Sequence, residues 1–249
     1  MRTVVCFVAV FLSAAAVFAA DINLSAGAGG ILGGAFTRYN ISADGTSRGG
    51  QRIEAEQLAN QFDYGFLAFF DATYGTFSIL LQNGVGSFDQ PVKNQPGMSS
   101  NGQSWETVLS FSLLGKYPFS LNEKLTVYPM LGMDYKVSLV QRRRFTSATP
   151  YGDAVIDPTV MPDPSTSLTS SQADFNSFHV RLGGGAEYLL TDRIFVRGDV
   201  LFGIRLMTDY ERKNLDYMKK MTYDNSPKLG GLSFGPSVRL AAGYRFHSF

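Results

Sequence analysis

The chain has 249 residues, 45% hydrophobic and 13% aromatic, with two histidines, one cysteine and a formal net charge of +1. That balance leaves no basic footprint for nucleic acid, and so few histidines and cysteines point away from a metal centre. No cofactor motif is expected.

The stretch Met1–Ala20 reads MRTVVCFVAVFLSAAAVFAA, one Arg followed by an almost unbroken apolar run. Val17 and Ala19 occupy the minus-three and minus-one positions of a cut after Ala19. A retained anchor is the competing reading, but the run is at or just under spanning length and ends in Ala without a basic flank. The expectation is a cleaved secretory leader over 1–19 and a single domain over 20–249. Cys6 falls inside the leader, so the mature chain has no thiol, which suits an exported protein without disulfides. Taking Arg2 from the 22 basic residues leaves 21 against 21 acidic ones.

After the leader no apolar run reaches 18 residues, and helical periodicity is scarce. What recurs is period two. Ile22–Phe36 is a small-residue strand without charge; its GAGGILGG run (Gly27–Gly34) resembles a phosphate cradle in composition only, lacking a following Lys and helix. Phe62–Tyr74 sets Phe62, Tyr64, Phe66, Phe70 and Tyr74 against Asp63 and Asp71, and the uncharged Phe77–Val85 follows. Trp105–Phe119 alternates Trp105, Leu109, Phe111 and Leu113 with Glu106 and Lys116. Leu125–Leu139 alternates Leu131, Met133 and Val137 with Asp134 and Lys136. Phe178–Tyr188 opposes Phe178, Val180 and Leu182 to His179, Arg181 and Glu187. Ile194–Met207 opposes Ile194, Val196, Val200, Phe202 and Ile204 to Arg197, Asp199 and Arg205. Leu232–Phe246 opposes Leu232, Val238, Leu240, Tyr244 and Phe246 to Arg239 and Arg245.

All 13 charged residues of these windows fall on the less apolar parity of their strand. Successive strand residues face opposite sides, so each strand has one charged and one apolar face. A soluble sandwich alternates as well, with its apolar face inward. The even count of eight strands, the leader, the missing cysteines and the connection lengths favour a membrane barrel instead. Tyr74-Gly75, Ser120–Lys124 and Leu190–Arg193 are tight, whereas Asn40–Gln61, Ser87–Ser104, Arg142–Asp174 and Thr208–Gly230 are long. Aromatic residues cluster at both ends, with Tyr74, Phe77, Tyr117, Phe119, Tyr188, Tyr244 and Phe246 near the short turns. Phe36, Phe62, Tyr64, Trp105, Phe178 and Phe234 lie near the long loops. These read as two interfacial girdles. The expected fold is all-β, an eight-stranded antiparallel up-and-down transmembrane β-barrel.

The run GGGAEYLLTDRIFVRGDV (Gly183–Val200), two strands around a Leu-Thr-Asp turn, resembles the hairpins of eight-stranded outer-membrane barrels of the OmpA, OmpX and OmpW kind. The ending AAGYRF (Ala241–Phe246) is similar to the closing strand of the OmpW family. The resemblance implies the outer membrane of a diderm bacterium, long loops extracellular, with outer-membrane lipid and the barrel-assembly machinery as partners. Tyr244, Phe246 and Phe249 are the candidate assembly signal, and His247-Ser248-Phe249 departs from the family ending. Phe249 has the wrong parity for strand register, which favours Phe246.

The tripeptide Arg197-Gly198-Asp199 thus reads as two lumen charges around a lipid-facing glycine rather than an adhesive loop. The full candidate lumen network is Asp63, Asp71, Glu106, Lys116, Asp134, Lys136, His179, Arg181, Glu187, Arg197, Asp199, Arg205, Arg239 and Arg245. Paired, these charges plug the barrel; lining a gap, they form a polar path for small solutes. His179 invites a catalytic reading, as in barrel enzymes that deacylate lipids, but the sequence offers it no clear Ser and acid partner, and no enzyme is expected. Arg142–Arg144 reads as solvated or headgroup-binding charge at a strand's outer end, and Asp209–Lys220 as a short surface helix. Functionally the first expectation is a narrow channel for small solutes, apolar ones included, as the OmpW resemblance implies. The alternative is a structural or surface-interaction barrel whose long loops, Arg142–Asp174 above all, bind a partner.

Overall fold

The computed structural model describes residues 23–44, 52–91, 99–149, 152–156, 176–206 and 228–248. The leader, the Asp209–Lys220 segment and Phe249 lie outside the described residues. The described residues form ten strands: β1 (Asn23–Asp44), β2 (Arg52–Ala72), β3 (Gly75–Pro91), β4 (Ser99–Lys116), β5 (Phe119–Ser120), β6 (Leu125–Thr149), β7 (Gly152–Ile156), β8 (Ser177–Leu189), β9 (Ile194–Arg205) and β10 (Lys228–Ser248). Eight of them pair in the antiparallel cycle β1-β2-β3-β4-β6-β8-β9-β10, which β10 closes by returning to β1. Closure removes the sheet edge, so no row of backbone donors is left facing lipid. The two short strands, β5 and β7, only extend β6 at its two ends.

The tight turns form because side chains satisfy the reversing backbone. Thr73 and Tyr74 make a two-residue hairpin between Ala72 and Gly75. In the next turn the Asn122 side-chain oxygen accepts the amides of Lys124 and Leu125 at 2.9 and 2.8 Å. The Thr191 hydroxyl accepts those of Arg193 and Ile194 at 3.3 and 3.0 Å in the third. Short polar side chains bonding two and three residues ahead are a local turn device, so these reversals are fixed by neighbouring residues alone.

The opposite end differs from the expectation of long loops. Ladder pairing carries β1 and β2 out to Asp44 and Arg52, β3 and β4 to Pro91 and Ser99, and β6 to Thr149. Much of Asn40–Gln61, Ser87–Ser104 and Arg142–Asp174 is therefore strand, and the barrel wall continues past its girdle. Arg142 accordingly lies within β6, not at its end. Past the girdle the outward face no longer meets hydrocarbon, so the apolar alternation that announces a strand fades while its hydrogen bonds persist.

Two irregularities mark the β1–β10 seam. The register steps by one between Leu24 and Ser25, opposite Phe246, so parity counted from Phe246 does not carry past it. Further along, the ladder passes from Gly33–Ser237 to Phe36–Phe234, missing the two rungs at Gly34–Pro236 and Ala35–Gly235, where Pro236 has no N–H to give. The backbones crowd there: a Cβ on Gly235 would sit 1.8 Å from the Gly34 carbonyl oxygen.

Candidate functional site

Between the girdles the outward parity of the ring strands is apolar, apart from the hydrogen-bonded pair Asn83 and Thr107. Phe66, Leu131, Leu182, Val200 and Leu240 form the broad exposed middle, with Val200 61% exposed. Rings meet at both rims: Phe234 contacts both Phe36 and Phe202 at one end. At the other, Tyr117 touches Tyr74 and Phe119, and Phe70 touches Phe246. Such a belt between aromatic girdles is stable only against hydrocarbon.

The inward parity carries the charge. Asp63, Asp71, Asp134, Lys136, His179, Arg181, Glu187, Arg197, Asp199 and Arg239 are buried, and Glu106, Lys116, Arg205 and Arg245 partly so. They divide by height. Near the short turns Asp71 binds Lys116 at 2.5 Å and Arg197 at 3.0 Å, and Thr76 donates to the same carboxylate. Arg197 also holds Asp199 at 2.9 Å, and the Tyr128 hydroxyl donates to that carboxylate at 2.9 Å. The Arg197 guanidinium lies 5.3 Å from the Phe69 ring and 5.4 Å from that of Tyr128, a cation on two apolar faces. Arg245 pairs with Glu187 below.

At mid-height Asp134 takes Arg181 at 2.7 Å and Arg239 at 3.6 Å, while Ser112 faces Arg239 at 3.3 Å. Higher still, Lys136 lies 3.7 Å from Asp63, and the Gln61 amide bridges Asp63 and Glu106 at 2.6 and 2.5 Å. His179 meets the Ser177 hydroxyl at 3.1 Å, and Asp134 stands opposite His179 in the ladder. Both guanidiniums meet the Oδ2 oxygen of Asp134, and the hydrogen bond of His179 is to Ser177. Among the described residues no group of three or more His, Cys, Asp and Glu could hold a metal ion.

Sequence reasoning did not find Tyr128, Thr76, Gln61, Ser112 or Ser177 as members of this network. For Tyr128, Gln61, Ser112 and Ser177 the signal was present, because each stands on the charged parity of its strand; Thr76 stands on β3, whose Phe77–Val85 run holds no charge to mark its inward face. Sequence reasoning also missed that part of the lumen is apolar. Ile31, Leu67, Phe69, Leu80 and Phe195 form one cluster, and Leu114, Tyr128, Met130 and Leu201 another. These side chains occupy the inward parity without being charged, so alternation alone does not mark them. Of the candidate assembly residues, Tyr244 accepts a hydrogen bond from Arg193 at 3.0 Å and Phe246 packs on Phe70, both facing outward.

No protein-family model matches the chain, and no curated protein matches it. Among solved structures, Neisserial surface protein A is similar over 88% of this chain and 99% of its own, at 10% identity and a TM-score of 0.32. Ail, the attachment invasion locus protein of Yersinia pestis, is similar over 91% and 98%, at 9% identity and a TM-score of 0.26. The outer-membrane protease OmpT of Escherichia coli is similar over 91% and 97%, at 10% identity and a TM-score of 0.31. These are outer-membrane β-barrels, and the likeness is one of fold; the assignment of this chain rests on its own closed ring and its outward apolar belt. The protease among them corrects one expectation: the exclusion of an enzyme does not stand, because this kind of barrel also carries catalysis. At that identity it assigns no activity here.

Proposed function

We propose that this chain, an integral outer-membrane β-barrel of eight strands, is a closed anchor whose working surface is the wall and connections beyond the long-connection girdle, facing the cell exterior. The observation that carries this reading is the occupied waist. Phe195, Leu114 and Leu201 are 0% exposed, and with Ile31, Phe69, Leu80 and Met130 they fill the lumen from six of the eight ring strands. Arg239 and Arg181 enter from the other two, β10 and β8, and both are held by Asp134. An eight-stranded interior is just wide enough to be filled by side chains. A passing solute would have to displace packed rings and separate buried ion pairs, each costly. The orientation follows the rule that short turns lie on the periplasmic side and longer connections outside. On the same reading, the leader over 1–19 directs export, and Tyr244 and Phe246 mark the closing strand for assembly.

Single-channel recording in planar bilayers tests the proposal. The expected trace shows no steady level above the bilayer leak. A reproducible open level would replace the anchor with a narrow solute channel, the reading that the likeness of Ala241–Phe246 to the OmpW ending supports.

A further inference from the structure

We infer that the outward face of β2, β3 and β4, immediately beyond the girdle, binds the saccharide headgroup of a glycolipid in the leaflet it adjoins. The inference rests on the proposed orientation only in placing that leaflet on the cell exterior. The register defines three rows across these strands. Phe62, Val85 and Trp105 stand side by side as the last apolar row, with Arg142 of β6 next to Trp105. One step beyond lie Asn60, Ser87 and Gln103, and one further Leu58, Asp89 and Asn101. All of these side chains are exposed.

A row is two residues, about 7 Å along a strand, and the headgroup layer adds roughly 5–8 Å to each side of the hydrocarbon. The polar rows thus begin at headgroup level. A concavity of about 620 Å³ lies against them, lined by Leu58, Asn60, Ser87, Asp89, Asn101 and Gln103. At the short-turn end the outward aromatics Tyr74, Tyr117 and Phe119 reach the turns themselves or the two residues beside them, leaving no comparable polar rows.

The chemistry selects a sugar. Three carboxamides and a hydroxyl both donate and accept, and the Asp89 carboxylate only accepts, which suits a ring rich in hydroxyl donors. Trp105 offers the flat apolar surface against which a pyranose C–H face packs. Arg142 beside it adds a fixed positive charge for a phosphate carried on the sugar. A headgroup that is only a phosphate would meet Asp89 with few hydroxyls to satisfy the amides, so an ordinary phospholipid is disfavoured.

Trp105 is the only tryptophan in the chain and reports from the edge of the site. The full-length folded protein is placed in nanodiscs of phosphatidylglycerol, and a purified glycolipid with a phosphorylated oligosaccharide headgroup is titrated in. Both leaflets have the same composition, so the outcome does not depend on which end faces out, and it is separate from the conductance result. Expected is a saturable change in Trp105 emission, with the glycolipid retained on the protein in native mass spectrometry. The triple variant Asn60→Ala/Asn101→Ala/Gln103→Ala should weaken that affinity at least about tenfold, from the loss of three hydrogen-bonding groups. If the triple variant fails to fold, the exposed single change Gln103→Ala is read instead, with an expected loss of about twofold or more. A response as large when phosphatidylglycerol alone is added, or an affinity unchanged in the variant, overturns the inference. Equal binding of the oligosaccharide cleaved from its lipid overturns the membrane source.

Discussion

Placing arginine at Val200 probes the facing of the whole barrel. Val200 is 61% exposed on β9, between Val238 and Gly184 of the flanking strands. The girdle rows bracket it, because Ile194 pairs with Tyr244 and Ile204 with Phe234. Six residues separate Val200 from the first row and four from the second. At about 3.3 Å per residue and a tilt of about 40°, these are about 15 and 10 Å of height, a total of about 25 Å that matches the usual apolar band. Val200 is therefore close to the midplane, where an arginine costs about 2–4 kcal/mol. Ile194→Arg, at the girdle, should cost about 1 kcal/mol or less. The difference is read by reversible urea titration in lipid vesicles, following Trp105 fluorescence, and corresponds to a folding equilibrium at least about fivefold lower for the midplane variant. Equal costs at 194 and 200, or no cost at 200, would refute the assigned depth and facing together.

Asp134→Asn should cost about 3–5 kcal/mol in the same titration, because Arg181 and Arg239 would keep their buried charge without its counterion; a loss under 1 kcal/mol would mean that these guanidiniums reach water. A Cβ at Gly243 would fall 2.3 Å from the Phe195 ring, so Gly243→Ala should cost about 1–3 kcal/mol from overpacking. The penalty should vanish in a Phe195→Ala background, itself lower by about 3–5 kcal/mol, and additive penalties would show that the two do not touch. On an unboiled detergent gel the folded protein should run faster than after boiling, since a closed ring has no free edge for detergent to open. Identical mobility together with helical circular dichroism would remove the barrel.

Strand existence and parity were legible because alternation is a property of the extended backbone, visible within any ten residues. Ile194–Arg205 shows this: each of its charges lies on one parity, and the strand buries that parity. The wall beyond the girdle was not legible. Asn60, Ser87 and Gln103 stand in stretches where polar residues occupy both parities, and only the continuing ladder identifies them as sheet.

The sequence by itself determined eight alternating strands, three tight turns and the set of residues sharing each face, all consequences of a two-residue period and local side-chain bonding. Which of the two faces turns inward was symmetric in that pattern, and closure of β10 on β1 decided it. The partners were decided by tertiary structure as well. Arg197 binds Asp199 two residues away, but its second carboxylate, Asp71, is 126 residues distant. Asp71 also receives Lys116 from a third strand. Such pairings depend on register and on curvature bringing the walls of a narrow lumen within one side-chain length of each other. Alternation along a single strand contains no information about either.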